Sequence, residues 1–88
     1  MKAARLTVKW EQGLHMRAAA RLVRVAQRFH SRILVRLGSQ VADARSILSI
    51  MLLAASLGAS LDVEVSGEDE HEAIAAVQSY FESGEANG

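Results

Sequence analysis

The 88-residue chain contains no cysteine and no proline, and its aromatic residues are only Trp10, Phe29, Tyr80 and Phe81. Without cysteine there can be neither a disulfide framework nor a thiolate metal site. Without proline, no helix start has its φ preset by a ring, and every first-turn N–H is present. Acids are nearly missing from the first half: residues 1–45 carry all ten Lys and Arg but only Glu11 and Asp43, a balance of +8. Residues 46–88 hold eight acids and no base, so the formal net charge is zero. Such a split either lets the two halves complement each other or offers a basic surface to an acidic partner or to nucleic acid. Long apolar runs are lacking too. The longest greasy stretch, Ile47 to Leu57, is interrupted by serines and is too short to span a bilayer. The opening MKAARLTVKW has charges spread through it in place of an apolar signal core. A cytoplasmic protein without membrane insertion is therefore expected. With half its residues apolar, the chain suffices for one small domain over 1–88, expected to be a monomer.

Arg5 to Trp10 alternates, with Leu6, Val8 and Trp10 on one side, which predicts a half-buried strand. From Met16 to Phe29 the period becomes helical. Ala19, Leu22, Val23, Ala26 and Phe29 cluster on one face, and Arg17, Arg21, Arg24 and Arg28 form a stripe opposite. Arg32 to Leu37 alternates again and is joined by Gly38-Ser39, a hairpin turn, to a short strand at Gln40 to Ala42. Asp43 or Ser46 caps a helix expected to run to about Leu57, where Gly58 ends it; Ile50, Leu53 and Leu57 face the core. Leu61, Val63 and Val65 make a last strand. Asp69 and Glu72 have capping-box spacing and open a helix with Ile74, Val77 and Phe81 inward. Residues 83–88 read as a frayed tail. The order is βαββαβα, an α+β fold of four strands with helices on one face. Order alone leaves the strand arrangement open, since a split βαβ sandwich has nearly the same signature.

The stretch GLHMRAAARL sets His15 at or beside a helix N-cap. First-turn N–H groups lack internal partners and, with the macrodipole, attract an anion. An imidazole placed there offers a ring nitrogen that can act as a nucleophile. Arg17 adds a fixed cation whose fork matches phosphate oxygens. The plainer alternative is an ordinary capping histidine. A metal site has less behind it, because His30 and His71 are far apart in sequence and no cysteine helps. His30 falls near the negative end of the first helix, and His71 lies in an acidic, solvated stretch. No metal or cofactor is expected.

Gly13-Leu14-His15-Met16-Arg17-Ala18-Ala19 resembles the G-L-H-x-R-P-A signature of the HPr family, the histidine-containing phosphocarriers of the bacterial phosphoenolpyruvate-dependent sugar phosphotransferase system. Ala44-Arg45-Ser46-Ile47-Leu48, with Met51, Leu53 and Gly58, is similar to the family's regulatory region, and Ser66-Gly67-Glu68-Asp69-Glu70 with Glu72-Ala73 to the entry of its last helix. The resemblance implies an open-faced β-sandwich, a four-stranded antiparallel sheet covered on one face by three helices. It further implies phosphorylation of His15 on Nδ1 by phosphorylated enzyme I, transfer onward to enzyme IIA domains, and stabilisation of the phosphate by Arg17. Such a carrier is a covalent relay and not an enzyme with its own turnover. Two positions depart from the family pattern: Ala18 replaces the proline, and Ser49 stands where many members have glycine.

The run from Ile47 to Leu57 is apolar almost all round, more than one sheet can bury. By helical angle Ile47, Leu48 and Met51 lie on a face of their own, either covered by a loop or left as a partner site. The resemblance implies docking there, beside Met16, with Arg21 and Arg24 as the basic rim. It also matches Ser46 to a serine phosphorylated by a dedicated HPr kinase/phosphorylase in some branches, although a plain helix cap explains Ser46 equally well. Two other readings use the same residues. One is a regulatory, nitrogen-type paralogue; the other is a basic nucleic-acid-binding module, disfavoured because the arginines lack interleaved aromatics and half the chain is acidic.

Overall fold

A computed structural model describes residues 1–83. Its elements are β1 (Lys2–Thr7), α1 (Met16–Gln27), β2 (Arg32–Leu37), β3 (Gln40–Asp43), α2 (Ile47–Leu52), β4 (Ser60–Ser66) and α3 (Glu70–Ser83). The strands form one antiparallel sheet in the order β1-β4-β2-β3, which resolves the arrangement that element order left open. Alternation puts Leu6, Ile33, Val35, Leu61, Val63 and Val65 on the buried face, where they meet Ala19, Leu22 and Ala26 of α1 and Ala73, Ile74 and Val77 of α3. The opposite face is polar. There Arg5 of β1 reaches Asp62 of β4 at 3.0 Å, and Arg36 of β2 reaches Glu64 of β4 at 3.2 Å. Among the described residues no helix is long and apolar enough to cross a membrane.

Several boundaries differ from those read off the sequence. The first strand is Lys2–Thr7 and not Arg5 to Trp10. Leu6, Val8 and Trp10 are all buried as their alternation demands, but the ladder ends where Thr7 meets Ser60, the first residue of β4. Val8 instead exchanges backbone bonds with Gly58 and Ala59. The first helix stops at Gln27, so Phe29 is only half-buried and His30 lies beyond the C-cap, Arg28. Asp43 closes β3 and accepts from the Arg45 N–H, so the cap of α2 is Ser46. That helix ends at Leu52, because Ala54 turns into the left-handed region at φ 52°. Ile50 and Leu53 are buried, whereas Leu57, expected inward, is exposed on the following turn.

The start of α3 also differs. The N–H of Gly67 bonds to the Glu70 carboxylate at 3.1 Å, which takes the place of the expected Asp69–Glu72 box. Asp69 points across the fold. It accepts from the N–H groups of His30 and Ser31, each at 2.9 Å, and from the buried Ser31 hydroxyl. These bonds hold its carboxyl well below the usual carboxylate value, at about 2, with the Ser31 hydroxyl the largest cause. Ser83, assigned by sequence to a tail, closes α3 and donates its hydroxyl to the Tyr80 carbonyl at 3.0 Å. The remainder of that tail, 84–88, lies outside the described residues.

Candidate functional site

The loop between β1 and α1 is anchored before it reaches His15. Gly13 takes φ 72° and donates to the Trp10 carbonyl at 2.8 Å. It lies so close to the segment after α2 that an added Cβ would be 2.4 Å from the Ala55 carbonyl oxygen, a place only glycine fits. Leu14 is buried and donates to that same Ala55 carbonyl at 2.8 Å, while the His15 N–H bonds back to Gly13 at 2.8 Å. The half-buried His15 is therefore delivered to the helix by a backbone with little freedom.

His15 is the N-cap of α1, in extended conformation at φ −73° and ψ 176°. Its carbonyl accepts the first helical bond, from Ala19 at 2.8 Å, and its Nδ1 accepts from the Ala18 N–H at 3.4 Å. No acid lies in the first turn of α1, so the positive end of the helix is not offset by its own side chains. Arg17, at the second helical position, is exposed. A nucleophilic nitrogen, a helix N-terminus and a guanidinium thus share one turn, which suits accepting an anionic group and compensating its charge. Among the described residues no group of three His, Cys, Asp or Glu side chains could hold a metal ion. His30 and His71 are exposed and stand on other parts of the chain.

Met16 in this turn is exposed, as are Ile47 and Leu48 of α2, a helix that packs against α1, and Met51 is half-buried against the core. Leu52 of α2 is also exposed, at 69%, a residue the sequence reading does not single out for a partner face. The signal was available: Leu52 follows Leu48 by one helical turn. Arg21 and Arg24 continue along α1, the first half-exposed and the second exposed. Ser46 caps α2 by accepting from the Ser49 N–H at 3.2 Å.

The family model described as the PTS HPr component phosphorylation site matches residues 2–83, nearly the whole chain and with it the loop of His15. The chain belongs to the HPr family. It is 42% identical over 78 residues to the phosphocarrier protein HPr of Xylella fastidiosa Temecula1, covering 89% of this chain and 88% of the relative. It is 37% identical over 81 residues to the phosphocarrier protein NPr of Proteus mirabilis, covering 91% and 90%. The crystal structure of HPr from Thermoanaerobacter tengcongensis superposes with a TM-score of 0.92 at 38% identity, covering 96% of this chain and 94% of that one. The open-faced HPr sandwich is thus present here in full. As an HPr-family protein the chain serves the phosphotransferase system as a phosphocarrier, without turnover of its own.

Proposed function

We propose that this HPr-family chain accepts a phosphoryl group on Nδ1 of His15 from phosphorylated enzyme I and passes it to an enzyme IIA domain. The observation that carries this reading is the position of His15, a half-buried N-cap at an uncompensated helix start with Arg17 in the same turn. In the transfer, the Nδ1 lone pair forms the new bond to phosphorus while the bond to the donor breaks and leaves its electron pair on the donor atom. The Nε2 proton need not move. Arg17 and the first-turn N–H groups stabilise the oxygens as their charge shifts, and the anchored loop keeps the ring in line. Met16, Ile47, Leu48 and Met51 form the docking patch, and Arg21 and Arg24 its basic rim.

Ser46 is the natural point of control. A phosphate on its hydroxyl would sit at the start of α2 and place negative charge beside the patch, repelling an acidic partner without breaking the helix. A kinase acting there would regulate docking and not folding. The similarity to a nitrogen-type carrier, NPr, favours as second reading a regulatory role in which the phosphorylation state of His15 selects binding partners.

The test is incubation with phosphoenolpyruvate and purified enzyme I, followed by detection of an acid-labile adduct. Wild type is expected to gain one phosphoryl group and His15→Ala none. An adduct that persists in His15→Ala would refute the assignment. Transfer onward to sugar-type or nitrogen-type enzyme IIA then separates the two readings.

A further inference from the structure

Ala18 occupies the position at which the family signature has proline, and in this chain its backbone N–H is bonded to the ring nitrogen proposed to carry the phosphoryl group. A proline there has no hydrogen to give. The donor is also held firmly in place. The Ala18 side chain is fully buried, and the Ala18 carbonyl accepts from the Tyr80 hydroxyl at 2.9 Å, tying this turn of α1 to α3. We propose that Ala18 is a positioning residue that acts through His15, its N–H holding the Nδ1 lone pair of the unphosphorylated ring and slowing phosphoryl acceptance. The proposal rests on the carrier reading for its kinetic part alone.

Two consequences follow from the geometry. A ring whose Nδ1 accepts a hydrogen bond carries its proton on Nε2, so the resting imidazole is biased toward that tautomer. The lone pair that must attack phosphorus is the same one that the Ala18 N–H occupies, so the contact has to open before the N–P bond can form. At 3.4 Å the bond is a long one and belongs at the weak end of the net range for hydrogen bonds. Releasing it should speed acceptance about two- to fivefold. This bias of the ring is independent of any partner protein.

The experiment compares wild type with Ala18→Pro, which removes the donor, and Ala18→Ser, which keeps it. The tautomer is read from the imidazole nitrogen resonances at a pH where the ring is neutral. Wild type and Ala18→Ser should show a ratio of Nε2–H to Nδ1–H form about two- to fivefold higher than Ala18→Pro. Initial rates of phosphorylation by enzyme I should be about two- to fivefold higher for Ala18→Pro, with Ala18→Ser matching wild type. A predominant Nδ1–H form in wild type overturns the proposal even if Ala18→Pro fails to fold, as do equal rates for the three proteins. If wild type gains no phosphoryl group, the carrier reading falls, while the tautomer measurement still decides whether Ala18 holds the ring.

Discussion

Gly13 and Ala54 both lie in the left-handed backbone region, at φ 72° and 52°, and they flank the same contact between the His15 loop and the segment that follows α2. Their substitutions should have opposite effects. Gly13→Ala drives a Cβ into the Ala55 carbonyl at a φ that alanine disfavours, and should cost about 2–3 kcal/mol. Because Leu14 uses that same carbonyl, the variant should also slow His15 phosphorylation. Ala54→Gly relieves about 1–2 kcal/mol of strain against about 0.5–1 kcal/mol of added chain entropy, a net gain of about 0.5 kcal/mol. Urea unfolding followed by circular dichroism checks both signs. The place of His15 at a helix start could be read from sequence because its causes are local: a glycine before it and a helical period after it. The Ala55 anchor could not, since nothing in GLHMRAAARL names a partner some forty residues away.

Between elements, Asp69 fastens the start of α3 to the loop joining α1 and β2. Its carboxyl is held at about 2, below the ordinary value near 4, so the ionised form is favoured by folding. The stabilisation is complete above the ordinary value and is lost as pH falls from about 4 to about 2. The stability advantage of wild type over Asp69→Asn should therefore be constant near neutrality and shrink across that interval. A difference unchanged down to pH 2 would contradict the role assigned to these bonds. Sequence reading found the helix but misjudged this residue, because the capping-box rule looks three positions along the chain and the partner of Asp69 is Ser31. The same limit explains Leu57. An apolar run shows helical period but not where a left-handed residue will break it, and Gly58 concealed the earlier stop at Ala54. By contrast, the buried faces of α1 and α3 and the alternation of β2 and β4 were all legible, because one period per element decides them.

For the molecule as a whole, the charge split has two outcomes. On the sheet the basic strands β1 and β2 flank the acid-bearing β4, so there the halves complement each other. Exposed pairs of this kind contribute at most about 1 kcal/mol each, so salt should hardly move the unfolding midpoint. On the helical side, α1 carries Arg17, Arg21 and Arg24 and no acid at all. Attraction of an acidic partner to that face is screened beyond about 10 Å at 0.1 M salt. Phosphoryl transfer at low protein concentration should therefore slow steeply with ionic strength, and Arg21→Ala/Arg24→Ala should flatten that dependence. A transfer rate indifferent to salt would leave the stripe without a docking role.

Trp10 is fully buried, with its ring 5.4 Å from Tyr80 and 5.3 Å from Phe81, and its carbonyl receives the Gly13 N–H at the root of the His15 loop. It is the only tryptophan in the chain, so its emission comes from one known place. Its neighbours make that light sensitive to the packing of α3, and its backbone ties it to the segment that presents the histidine. The chain thus carries an intrinsic fluorophore five residues from its candidate phosphoacceptor, able to follow unfolding without an attached dye.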